Sequence, residues 1–241
     1  MKWFWGPMFT VLLCFIISPA HSGLIEEMVI LERSYIPALV LTNQPAKPAS
    51  SVAESMRRLI TAWSQFKNNL NQSDREDQAL KKAIEDSERH INEANGEVAA
   101  GKRKEAHESL EAIRILIWKA RQAKGIVYLP DRLTAFHEEM EEFFSLAVGQ
   151  TGEAGKLKRL LGELSSQWSN VENMKLDRQM FGFSDEKVTS FAKLVKQERE
   201  ILNQLASLIS SSDPQGLANA ARAMKSTFSQ TYQLFGDFNG L

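Results

Sequence analysis

Three histidines and a run of glutamates are the side chains here whose types and spacing could do chemistry. His90 and His107 stand on either side of the glycine-bearing stretch "INEANGEVAAGKRKEA". If the chain folds back between them, two imidazoles could share a metal ion. A comparison inside the sequence places the fold-back. Ser211-Ser212-Asp213-Pro214 marks a turn before the last helical segment. Carried back by the 111 residues that separate Ile113-Arg114 and Ile117 from Met224-Lys225 and Phe228, it falls near Ala100 to Arg103. Gly101 then ends one helix and the next restarts at about Lys104. Asn95-Gly96 lies inside the first helix, at a cost of roughly 1 kcal/mol for the glycine. With that turn the two histidines differ in level by roughly 6 Å along the hairpin. Both flank their apolar stripes. They are expected to be half-exposed polar residues near a hairpin end.

The segment "LTAFHEEMEEFF" (133–144) carries His137, Glu138, Glu139, Glu141 and Glu142. His137 and Glu141 stand at i, i+4 and could hold a metal from one helix face. A di-iron bundle needs Glu-x-x-His on two helices, and the chain has none. The preceding helix carries Arg114 and Arg121 on one stripe with His107. Antiparallel pairing brings Arg114 near the level of Glu141, so an interhelical ion pair is the expectation there. Metal ligands are therefore assigned to no residue, and cofactor-binding residues stay unknown. The alternative is a haem or divalent-metal carrier, similar in architecture alone to cytochrome b562. Its ligands would be Met28 on the first helix and His107 on the fourth; the last helix of the chain offers no histidine.

No enzyme is expected. The chain has no Gly-x-Ser-x-Gly, no His-Glu-x-x-His, no P-loop and no dinucleotide fingerprint. Its carboxylates are expected on solvent-facing surfaces. Trp63, Trp118 and Trp168 are expected as core fillers rather than a stacking platform. The C-terminal aromatics Phe228, Tyr232, Phe235 and Phe238 either lock the last helix down or form an exposed patch for a partner.

The elements that must position these residues are helices. Met56, Leu59, Trp63, Phe66 and Leu70 follow the spacing of one helix face, as do Leu133, Phe136, Met140, Phe143 and Ala147. Leu157, Leu160, Leu164, Trp168 and Val171 repeat the pattern. Ser51 with Glu54, and Ser73 with Glu76, read as capping boxes. Asp213-Pro214 reads as an N-cap followed by proline at the first helical position. Period-2 alternation is absent, so no strand is expected. The fold class is all-α, with about eight helices in two similar sets of four. "RRLITAWSQF" resembles "KRLLGELSSQW", and "SERHI" resembles "QEREI". The expectation is two tandem up-and-down four-helix bundles, 23–127 and 128–241, joined where Pro130 breaks the helix.

The beginning of the chain reads as a secretory signal peptide over residues 1–22. Lys2 precedes an apolar run from Met8 to Ile17, and Ala20-His21-Ser22 suits cleavage before Gly23. That run is too short to span a bilayer, which needs about 20 residues, and no later stretch is long enough, so no transmembrane segment is expected in the mature chain. Cleavage would remove Cys14, the single cysteine, leaving no disulfide and no thiolate ligand. A formal net charge of −1 gives no electrostatic case for nucleic acid. The expected protein is periplasmic or secreted, non-enzymatic, and bound to an unknown protein partner or acting as a scaffold.

Overall fold

The computed structural model describes residues 19–151 and 153–241, with side chains from Gly23 onward. The expected leader falls on residues 1–22, of which 1–18 lie outside the described residues. Ten helices and no strand are found among the described residues. They are α1 Pro19–Thr42, α2 Ala49–Asn69, α3 Gln72–Glu76, α4 Gln78–Ala99 and α5 Arg103–Ala123, followed by α6 Leu129–Val148, α7 Ala154–Glu172, α8 Arg178–Phe181, α9 Asp185–Ser211 and α10 Pro214–Gln233. Two short helices, α3 and α8, therefore add to the expected eight.

The apolar stripes read from the sequence are the buried ones. Met56, Leu59, Trp63 and Phe66 face inward from α2, and Leu133, Phe136, Met140 and Phe143 from α6. The hairpin between α4 and α5 turns where the internal comparison puts it. Gly101 adopts a left-handed φ of 73°, Gly96 stays inside α4, and α5 begins at Arg103. Asp213 caps α10, its Oδ1 accepting from the Gly216 amide at 2.9 Å, with Pro214 at the first position.

The two proposed capping boxes are corrected. α2 starts earlier, at Ala49 after Pro48, so Ser51 lies inside it. Proline's fixed φ starts that helix without a side-chain cap. Asn71 caps α3 and Asp77 caps α4, each accepting from an amide three residues on, and Ser73 caps neither.

α1 packs on α2, α2 on α4, α4 on α5, and α5 back on α1; α6, α7, α9 and α10 close a second ring in the same way. The rings meet where α1 touches α8 and α10, and where α5 faces α6. One hydrophobic cluster runs without interruption through both. The C-terminal tail ties them further. Pro37 lies inside α1 and has no N–H, so it cannot bond the Arg33 carbonyl one turn back. The Asp237 amide donates to that carbonyl instead, at 2.9 Å. Arg58 on α2 donates to the Asn239 carbonyl at 2.8 Å. Phe235 packs among Phe181, Phe183 and Phe191 at centroid distances of 4.9 to 6.1 Å. Phe228, Tyr232 and Phe235 are buried, so of the two readings of the C-terminal aromatics the locked helix is the one found.

Candidate functional site

The polar groups concentrate where the rings meet. Arg121 near the end of α5 is buried and bonds Asp131 of α6 through Nε, at 3.0 and 2.9 Å from the two carboxylate oxygens. Its Nη1 donates to the Met28 sulfur at 2.8 Å, and its guanidinium lies 4.8 Å from the centre of the Tyr128 ring. Tyr128 donates to Glu32 of α1 at 2.6 Å. Burial pushes Glu32 up to about 7, against the opposing pull of Arg121 and the Tyr128 hydroxyl. Burial disfavours the Arg121 charge, but Asp131 and Glu32 more than restore it and raise its pKa. A buried charge needs such partners, because an unpaired one is strongly unfavourable.

Two turns back along α5, Arg114 is also buried. Its Nη2 lies 2.6 Å from His137 Nδ1, 3.4 Å from Glu111 and 3.9 Å from Glu138. A guanidinium can only donate, so His137 Nδ1 accepts and the ring proton sits on Nε2. That nitrogen faces Glu141 at 3.2 Å, and Lys225 of α10 holds the same carboxylate at 2.8 Å. His107 Nδ1 lies 2.9 Å from the Leu39 carbonyl, which can only accept, so Nδ1 donates there, and Nε2 faces Glu111 at 3.5 Å. Burial pushes Glu111 up, but the His107 contact and the charge of Arg114 outweigh it and hold the carboxyl at about 2.

His90 and His107 are half-buried and do not form a pair, in line with the expectation of polar flank residues near a hairpin end. His90 lies 2.9 Å from Glu93 on its own helix, while His107 approaches His137 through Glu111, which lies 3.5 Å from one ring and 3.8 Å from the other. The expected ion pair between Arg114 and Glu141 is corrected. The turn is tight enough to set Arg114 opposite His137 and Glu138, about one turn nearer the hairpin end, and Lys225 takes Glu141. Glu142 pairs instead with Lys156 of α7, at 2.7 Å, and Glu139 faces Glu163 there. Nor are the carboxylates confined to the surface: Glu32, Asp74, Asp131 and Glu198 are buried. Met28 and His107 are not brought together. His107 sits beside Leu39, 11 residues along α1 from Met28, or about 16 Å at 1.5 Å per residue. Met28 already accepts from Arg121, so this pair does not fit as the two axial ligands of one haem. Trp63 and Trp168 are core residues as expected, and Trp168 donates to the Val195 carbonyl at 3.0 Å. Trp118 is half-buried.

Two spaces open along this seam. An outer cleft of about 380 Å³ is lined by His107, Glu111, His137, Glu141, Lys225 and Phe228, with an apolar wall from α1. An inner chamber of about 30 Å³ lies behind it, among Met28, Glu32, Tyr35, Trp63 and Arg121. Arg114 and Tyr232 line both. Glu32, Tyr128 and Asp131 were missed from the sequence. The signal that could have found Asp131 was its place just after Pro130, opposite Arg121 on a short hairpin. Among the described residues no group of three or more His, Cys, Asp or Glu has the geometry to hold a metal ion. No helix there is long and apolar enough to cross a membrane. Compared with family models, curated proteins and solved structures, the chain matches none.

Proposed function

We propose that this is an exported, non-enzymatic protein of two tandem up-and-down four-helix bundles, with a binding role carried by the cleft between them. The two closed rings of four long helices support the tandem reading, and the weak internal similarity supports a duplication. The observation that carries the binding role is the cleft. Its volume falls in the range of small-ligand sites, and such sites favour the junction between domains. The non-enzymatic reading is supported by the state of the carboxylates there. Glu111, Glu138 and Glu141 are held below the usual carboxylate range by neighbouring histidines and cations, whereas a general base works best near the operating pH.

Periplasmic or secreted localisation rests on the leader sequence alone. N-terminal sequencing of the mature protein is expected to begin at Gly23 or within a few residues; a full-length cytoplasmic chain overturns export. The binding role is tested by co-purification from the native envelope, comparing the wild type with Lys225→Glu. That variant sets two carboxylates against each other at the cleft rim. A bound partner or small molecule lost in the variant supports the reading, and identical eluates refute it.

The runner-up is a divalent-metal carrier. It is favoured by the chain of contacts from His107 through Glu111 and His137 to Glu141, whose ligating atoms lie 3.2 to 3.8 Å apart. Against it stand the geometry, which brings no three of these groups together as metal ligands, and Arg114 and Lys225, which already supply the positive charge these carboxylates need. Stoichiometric metal in the purified protein, lost in His107→Ala, would reverse the order.

A further inference from the structure

Arg114 is buried, yet its charge is poorly matched. Its shortest contact is to an uncharged nitrogen of His137, while its carboxylate neighbours stand at 3.4 and 3.9 Å. The first is shared with His107, and the second stands beyond hydrogen-bond reach. The Arg114 Nε–H is fully buried and donates to nothing, and so is the indole N–H of Trp63. Both residues line the inner chamber. A buried donor left unbonded costs the full desolvation of that group, more so on a cation. Two such donors on one small cavity call for an acceptor inside it.

We infer that the seam binds a small organic carboxylate, its anionic head in the inner chamber against Arg114 and Trp63 and its apolar body in the outer cleft. This rests on the binding role proposed above and names the ligand class. The size agrees. At about 10–15 Å³ per water-sized group, a chamber of about 30 Å³ has room for two, which matches the two oxygens of a carboxylate. The two spaces also adjoin, since Arg114 and Tyr232 border both, and the body can lie against Leu39, Val40, Met140 and Phe228. One group opposes an anion. Glu32 lines the chamber, but its Oε2 accepts from Tyr128 and its Oε1 faces Arg121 at 3.6 Å. Because burial pushes Glu32 up to about 7, it is largely uncharged below that pH and repels a carboxylate above it.

The test uses the full chain with ¹⁵N-labelled tryptophan, titrated separately with benzoate, butyrate, benzyl alcohol, inorganic phosphate and chloride. Benzoate and butyrate are expected to shift the Trp63 indole N–H resonance saturably and to raise Tm, with affinity falling above pH 7. Benzyl alcohol is expected to bind at least about tenfold more weakly, because it lacks the charge. Arg114→Gln is expected to lose at least about tenfold in benzoate affinity. If that variant fails to fold by circular dichroism, Trp63→Phe, read by calorimetry, is expected to bind benzoate several-fold more weakly. The inference is overturned if neither carboxylate moves the Trp63 resonance, which would mean that the chamber holds water alone. It is equally overturned if Arg114→Gln binds benzoate like the wild type, or if phosphate or chloride competes equally. Should benzyl alcohol match benzoate, the carboxylate class fails while the cleft remains a binding site. Failure of the binding role itself is read separately, in the Lys225→Glu co-purification.

Discussion

Glu198 is a carboxyl buried at a cost. It sits on α9 with 0% exposure, and neither carboxylate oxygen has a hydrogen-bond partner. Burial alone pushes its pKa up to about 9. For an acid raised in this way, the folded state binds the proton more tightly than the unfolded chain. Stability is therefore full below the unfolded value of about 4.5 and declines as pH rises towards 9. Glu198→Met keeps the volume and removes the titration. It is expected to raise stability by a few kcal/mol at pH 8 and by far less at pH 5; an equal gain in Tm at both would refute this origin. Asp131→Asn acts in the opposite direction. It strips Arg121 of its closest counter-charge while both remain buried, and about 3 kcal/mol of stability is expected to be lost at pH 7 in urea unfolding. A loss under 1 kcal/mol would mean that Glu32 suffices.

At the level of elements, helix starts separate a cap that works from one that only resembles a cap. Asp213→Ala removes the acceptor for the Gly216 amide and is expected to cost about 1 kcal/mol. Ser51→Ala, inside α2, is expected to change stability by less than about 0.5 kcal/mol. Equal effects would refute the assignment of α2. The tail strap gives a sharper case. A Cβ on Gly236 would stand 3.0 Å from Ile36 and 3.1 Å from Pro37, and 2.8 Å from Phe238. Gly236→Ala therefore pushes the tail off α1 and strains the bond from the Asp237 amide to the Arg33 carbonyl. A loss of about 1–3 kcal/mol is expected. Proteolysis of the last residues should accelerate with it; an unchanged rate would show that the tail is not held by this contact.

For the whole molecule, the question is how far the two rings depend on each other. Residues 23–127 and 128–241 each hold four long helices with apolar inner faces, enough chain for a core of its own. Cutting between them also divides Arg121 from Asp131, Arg114 from His137, and the tail from α1 and α2. Expressed separately, both halves are expected to be helical with cooperative thermal transitions, each well below the Tm of the full chain, and to associate on mixing. If both are molten or insoluble, the chain is a single folding unit and the boundary at 127 has no thermodynamic meaning.

The sequence by itself determined the helices, their buried faces and several of their ends. Apolar spacing, Gly101, Asp213-Pro214 and Pro130 act through contacts within a few residues, and these are local enough to read directly. Even the α4–α5 turn was recoverable, because a proline-marked turn elsewhere in the chain supplied its position. Only the tertiary structure decided which polar groups meet. His107 and His137 share Glu111, and Glu32 joins Arg121 and Tyr128. These encounters depend on which helices close each ring and on the register between α5 and α6, and helical periodicity specifies neither. Glu198 shows the same limit from the other side. It stands seven residues after Phe191 and four before Leu202, on the apolar stripe itself, and only the packing of α9 against α7 and α10 shows that no partner reaches its carboxyl there.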